Sequence, residues 1–136
     1  MYKNIVVPID VDKAERGRNM LSRVKDLADK DAKVTVVNVV EDVPGFMTAA
    51  LPDGLVEKAA HDAKRNLVDM VKSANLDAEV EIRGGRPHRT VVKLADEIGA
   101  DLIVIASHNP GIQDYLLGST ASGVVRNAKC SVLVLR

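Results

Sequence analysis

Aromatic side chains are almost missing from this chain: Tyr2, Phe46 and Tyr115 are all it has, and there is no tryptophan. Proteins that hold single-stranded nucleic acid do so largely by stacking bases on such rings, so that function has no footing here. Net charge is missing as well. Nineteen basic and nineteen acidic residues cancel, which removes the basic footprint of a nucleic-acid or anionic-membrane binder. There is one cysteine, Cys130, so no internal disulfide forms, as suits a reducing cytoplasm; in its apolar segment it reads as a small buried hydrophobe. The three histidines, His61, His88 and His108, are too scattered for a zinc site. No apolar run approaches the roughly 20 residues of a membrane span, and Met1 to Asp10 is too short and too strand-like for a signal peptide. The expectation is a soluble cytoplasmic protein of one domain, residues 1–136, large enough to bury a core without metal or disulfide.

What is present is an alternation of strand and helix signals. Ile5 to Ile9 is an apolar run that stops at Asp10, and Asp12-Lys13-Ala14-Glu15 after it has the spacing of a capping box. Met20, Leu21, Val24, Leu27 and Ala28 recur at helical spacing. Lys33 to Val40 reads as the second strand, and Glu41 to Asp53 as a loop longer than a compact domain needs, hence a lid or contact surface. A helix fits Gly54 to Ala74, with Val56, Ala60, Ala63, Leu67, Met70, Val71 and Ala74 on one side. Ala78 to Arg83 alternates apolar and charged, which predicts a strand with one wet face. Gly84-Gly85-Arg86 is a plain turn or a basic wall to a crevice, Pro87 suits a helix start, and Gly99 closes that helix. Leu102 to Ala106 is unbroken and apolar, a strand buried on both faces. It leads through a polar loop to Leu116-Leu117-Gly118-Ser119-Thr120, where another helical pattern begins before the last strand, Ser131 to Arg136.

Strands alternating with helices imply right-handed crossovers and a three-layer α/β fold, an open, parallel five-stranded sheet with helices on both faces. The first and fourth strands are the most continuously apolar and belong in the centre; the third alternates and belongs at an edge. The order 3-2-1-4-5 satisfies both, and the winding then reverses between strands one and four, where a ligand crevice is expected. Its lips are Pro8-Ile9-Asp10 and Ala106-Ser107-His108-Asn109. The fifth strand becomes an edge whose Val132, Leu133, Val134 and Leu135 show no alternation. Such an edge invites a homodimer through Ser131 to Arg136 unless helices cover the strand within one chain.

With these pieces in place the whole chain resembles the universal stress protein family, in particular its small ATP-binding type. Lys3 to Asp10, KNIVVPID, looks like that family's first strand, and Leu116-Leu117-Gly118-Ser119 with Cys130 to Arg136, CSVLVLR, is a close match. The family's nucleotide signature is G-x2-G-x9-G-[S/T]. Here Ala106-Ser107-His108-Asn109 is followed by eight residues and then Gly118-Ser119, so Ala106 and Asn109 stand where glycines are usual and the spacing is one residue short. This is similar to a branch of the family with a His-x-Pro loop. The resemblance implies a Rossmann-like fold of the adenine nucleotide α-hydrolase-like kind, with ATP as ligand and Mg²⁺ as its companion ion. It places Pro8, Ile9 and Asp10 beside the adenosine, with the Asp10 carboxylate near the ribose or a metal-bound phosphate. Val39 would offer backbone groups to the adenine edge, Ala106, Ser107, His108 and Asn109 would line the ribose and phosphate path, and Gly118, Ser119 and Thr120 would hold phosphate oxygens.

The residues themselves support part of that reading. Gly118 at a helix start permits close backbone approach, and the N–H groups and hydroxyls of Ser119 and Thr120 suit an anion; alternatively Gly118-Ser119 simply caps the helix. Asp10 with Asp12 either pairs on Mg²⁺ or divides the work, Asp12 capping the helix and Asp10 facing the pocket. His108 is either a general base or a hydrogen-bonding pocket residue. Ala106 adds a methyl group where a phosphate chain passes, and Pro110 lacks an N–H. Three functions remain open: a dimeric ATP-binding stress sensor that signals through the Glu41 to Asp53 loop or its dimer face to an unnamed protein partner, a slow ATPase using Asp10 and His108, and a nucleotide-independent interaction protein. Without a Walker lysine or an arginine-rich phosphate clamp, efficient phosphoryl transfer is hard to support.

Overall fold

The computed structural model of the chain describes residues 1–41, 54–107 and 117–136. Its elements run β1 (Tyr2–Pro8), α1 (Ala14–Leu27), β2 (Ala28–Val40), α2 (Leu55–Ser73), β3 (Glu79–Gly84), α3 (Pro87–Ile98), β4 (Leu102–Ala106), α4 (Ser119–Asn127) and β5 (Ser131–Leu135). The five strands form one sheet in the order β3-β2-β1-β4-β5, and every neighbouring pair is parallel.

Alternate side chains of the central strands enter two separate apolar layers. Ile5, Val7 and Ile9 of the β1 segment, with Leu102 and Val104 of β4, pack under α1 and α2 against Met20, Leu21, Val24, Leu67, Met70 and Val71. Val6, Ile103 and Ile105 face the other way, onto Val91, Leu94 and Ala95 of α3 and Ala121 and Val124 of α4. A strand clothed on both sides needs apolar residues at every position, which is why β1 and β4 read as continuous runs. β5 obeys the same rule: Leu133 and Leu135 pack on the first layer, Val132 and Val134 on the second. Its missing alternation therefore has an explanation within one chain.

Several local expectations are revised. β2 begins at Ala28, directly after α1, rather than at Lys33. The charged stretch Ala28 to Ala32 carries no apolar signal, yet Ala28 pairs with Tyr2 across an irregularity in the β1–β2 ladder. Asp12 does not cap α1: the N-cap is Lys13, without a side-chain cap bond. Instead the Asp12 N–H donates to Asp10 Oδ1 at 3.0 Å, closing a turn at the end of β1. On α2 the side expected to be apolar holds for Ala63, Leu67, Met70 and Val71, whereas Val56 in the first turn is exposed. Gly99 ends α3 in the left-handed conformation, φ 68°, as its sequence position predicts. Of the long Glu41 to Asp53 loop only Glu41 belongs to the described residues.

One end of the sheet is clasped. Asp101, just before β4, accepts the backbone N–H groups of Lys3 and Asn4 on its two carboxylate oxygens at 2.9 Å each, and the Asn4 side chain donates to the Ile98 carbonyl. Burial by itself would raise the Asp101 carboxyl, but these hydrogen bonds outweigh it and hold the pKa below the ordinary value. From that clasp β1 and β4 pair through Ile5–Leu102 and Val6–Ile103. Among the described residues the ladder records no further pair towards their carboxyl ends.

Candidate functional site

Where β1 and β4 part company, a cleft of about 730 Å³ opens, within the ~300–1,000 Å³ typical of small-molecule sites. The first lip is built by β2. The Ile9 N–H donates to the Val37 carbonyl at 2.8 Å, and the Ile9 carbonyl accepts from Asn38 Nδ2 at 2.9 Å. Both backbone groups of Ile9 are thus fixed, and the chain turns at Asp10, whose carbonyl accepts the Lys13 N–H at 3.1 Å. Asp10 Oδ2 lies 3.9 Å from Lys13 Nζ, with the aspartate side chain about half exposed, at 54 %.

The opposite lip is the end of β4 and the start of α4. Ser107 is buried; its N–H donates to the Leu135 carbonyl at 2.8 Å and its carbonyl accepts the Gly118 N–H at 2.7 Å. Two hydrogen bonds therefore tie β4, β5 and the N-cap of α4 into one corner. Gly118 is extended, φ −63° and ψ 160°, and among the described residues no side-chain hydrogen bond caps the helix. Helix geometry leaves the N–H groups of the first turn, from Ser119 onward, without intrahelical acceptors, and they carry the positive end of the helix dipole.

Of the residues singled out in the sequence, Pro8, Ile9, Asp10, Val39, Ala106, Ser107, Gly118, Ser119 and Thr120 all line this cleft. His108 and Asn109 lie outside the described residues. From the Gly84 to Pro87 turn, Pro87 lines the cleft, and Arg86 is not among its described lining residues. His88 is turned away from chemistry, its ring packed over Gly123 of α4. No group of three or more metal-ligating side chains occurs among the described residues.

Three lining residues carry weight that the sequence reading did not give them: Asn38, Lys13 and Arg16. Asn38 left a signal, being the one amide in the apolar run Val34 to Val40 apart from the hydroxyl of Thr35. Lys13 and Arg16 left none, because a cation in the first turns of an amphipathic helix is ordinary surface.

A chain with this architecture and cleft has known relatives. The model of the universal stress protein family matches residues 1–136. Universal stress protein G of Escherichia coli O157:H7 is 34 % identical over 145 residues, covering 100 % of both chains. Among solved structures, hypothetical protein MJ0577 superposes with a TM-score of 0.81 at 26 % identity, over 99 % of this chain and 96 % of that one. A universal stress protein solved in complex with cAMP gives 0.73 at 25 % identity, over 99 % and 97 %. Full-length agreement with the family model and with a curated relative leaves one conclusion: the chain belongs to the universal stress protein family.

Proposed function

We propose that the cleft binds an adenine nucleotide, ATP being the form the sequence favours, and that the protein works as a binding module whose occupancy is read by a partner protein. The observation that carries this is the pairing of two unlike lips across one cleft. On one side the fixed Pro8-Ile9-Asp10 segment and Val39 offer apolar surface, backbone groups and a carboxylate suited to a nucleoside. On the other, the start of α4 at Gly118-Ser119-Thr120, uncapped by side chains among the described residues, offers N–H groups suited to a phosphate. The similar fold solved with cAMP, an adenine nucleotide, supports the ligand class.

Magnesium fits the described residues poorly as a resident ion. Asp10 is the carboxylate expected to hold it, but one oxygen already accepts the Asp12 N–H and the other faces Lys13. Asp12 is exposed, and no third ligand stands with them among the described residues; magnesium sites built on one carboxylate rely on phosphates and water for the rest.

The homodimer belongs to the same proposal. Among the described residues β5 is the outer strand and pairs only with β4, so its far edge offers backbone groups that a second β5 satisfies. A cytoplasmic setting accords with the free Cys130, and among the described residues no helix is long and apolar enough to cross a membrane.

The experiment is to denature purified protein, identify any released ligand by chromatography and mass spectrometry, and titrate stripped protein with AMP, ADP and ATP. Recovered or titratable adenine nucleotide, lost in Asp10→Ala and Gly118→Val, supports the proposal. Neither ligand nor affinity points to an interaction protein instead, and ADP accumulating with turnover points to an ATPase. Sedimentation of wild-type protein and Val134→Pro tests the dimer, which requires two chains in the first and one in the second.

A further inference from the structure

A nucleotide tail carries up to four negative charges, and the cleft already holds the acids Asp10, Asp12 and Glu41. Something must offset that repulsion. Among the described lining residues the cations are Lys13 and Arg16, and no others. Among the described residues Lys13 has one ion contact, the 3.9 Å approach to Asp10 Oδ2. Arg16, only partly exposed, has no acidic partner among the described residues.

Their position in the cleft matters as much as their charge. A second depression of about 1,330 Å³ runs along α1 and shares Asp12, Lys13, Arg16, Met20, Ala106 and Ser107 with the first. Both cations therefore stand at the Ser107 end of the cleft. Ser107 is hydrogen-bonded to Gly118, the N-cap of α4, which joins this part of the cleft to the helix start that the nucleotide reading assigns to phosphate. Lys13 is the N-cap of α1 and Arg16 lies in its first turn, three residues on, and both line the same cleft.

We propose that Lys13 and Arg16 supply the counter-charge for the β- and γ-phosphates, so that a nucleoside di- or triphosphate is held here without a divalent cation. The inference rests on the adenine-nucleotide reading of the cleft. Asp10 in this arrangement orients the Lys13 ammonium in place of ligating a metal, which accounts for a carboxylate with one oxygen engaged by backbone and the other turned to a lysine. The N–H groups of α4 take the α-phosphate, and the two side chains extend the site by the length of the tail. Arginine is suited to bidentate phosphate contact and lysine to a point charge.

The test is calorimetric titration of stripped protein with AMP and ATP, in Mg²⁺ and in EDTA, for wild type and for Lys13→Gln/Arg16→Gln. Wild type is expected to bind ATP with the same affinity, within about threefold, in both buffers. The double variant is expected to lose at least about tenfold in ATP affinity in EDTA, to recover part of it in Mg²⁺, and to bind AMP as wild type does, which also shows that it is folded. Loss of wild-type ATP binding in EDTA with AMP binding intact overturns the proposal and leaves the nucleotide site standing, as does a double variant that keeps full ATP affinity. Failure of wild type to bind AMP or ATP in any buffer overturns both.

Discussion

Replacing Asn38 by aspartate changes one NH₂ group to oxygen at a point where fold and site meet. Asn38 is 8 % exposed and Ile9 is 4 % exposed, and the bond between them, 2.9 Å from Nδ2 to the Ile9 carbonyl, fixes the lip of the cleft. At neutral pH Asn38→Asp sets a carboxylate against that carbonyl. Losing the bond and leaving a buried carbonyl unpaired costs about 1–3 kcal/mol. Confining the charge pushes the new carboxyl up by roughly 1–3 pKa units, at about 1.4 kcal/mol each. The sum is about 2–7 kcal/mol at pH 7, a large part of the ~5–15 kcal/mol that holds a domain of this kind together. The sign with pH follows from the direction of the shift. A folded-state pKa above the unfolded one means that the charge penalty is absent below about pH 4, grows as pH rises from there to the folded value, and is constant above it. Once protonated, the acid can donate its O–H to Ile9 and restore the bond. Urea unfolding of variant and wild type from pH 4 to 8 measures the difference, and subtraction cancels the titration of native groups. A difference that does not change with pH, or one under about 1 kcal/mol at pH 7, refutes the reasoning.

Three other perturbations have definite outcomes. Asp101→Asn removes a carboxylate whose pKa is lowered in the fold, so its stabilisation is present above about pH 4 and lost as pH falls through the lowered value. The variant is expected to be about 1 kcal/mol less stable than wild type at pH 7, with the gap closing in urea melts toward pH 2.5, whereas a constant gap counts against the clasp. A Cβ added at Gly123 stands 2.8 Å from His88 Cβ and 2.7 Å from Cδ2. Because a Cβ cannot rotate away, Gly123→Ala is expected to lose about 1 kcal/mol, overpacking of ~1–3 kcal/mol less ~1 kcal/mol gained in helix propensity, and to lose less in a His88→Gly background; a stabilised Gly123→Ala contradicts the packing. Burial first, and then the nearby Asp96 and Asp101, raise the Cys130 thiol, so at pH 7.5 it is expected to react with an aromatic disulfide more slowly than a peptide cysteine, and a rate equal to the peptide's refutes this.

The strand order was legible because burial leaves a mark on every residue of a strand. Ile5 to Ile9 and Leu102 to Ala106 are apolar without interruption since helices cover both faces, and Glu79 to Gly84 alternates because only its Val80 and Ile82 face packs on an apolar layer. Strand order then locates the cleft, and nine of the singled-out residues line it. Illegible parts are those where backbone hydrogen bonds, and not burial, decide. Ala28 to Ala32 joins β2 through the pairing of Ala28 with Tyr2, which any side chain tolerates. The turn at Asp10 uses Asp12 as an N–H donor where the spacing suggested a capping carboxylate. The same limit explains Lys13 and Arg16, whose importance comes from where the helix points them, a matter of the β1–α1 turn.

The two clasps at opposite ends of β1 separate stability from binding. Asp101 and Asn4 draw β1 and β4 together at their amino ends, far from every residue that lines the cleft. Asn38 ties β1 to β2 at the carboxyl end, where Ile9 and Asp10 face any ligand. A protein loosened at Asp101 keeps the shape of its cleft as long as it is folded, so its nucleotide affinity should match wild type. Loosened at Asn38, it loses the fixed Ile9 carbonyl and, with it, the starting point of the turn that presents Asp10 and Lys13. Equal loss of AMP affinity in Asp101→Asn and Asn38→Asp, measured where both are fully folded, would mean that the cleft answers to global stability and that Asn38 holds no lip.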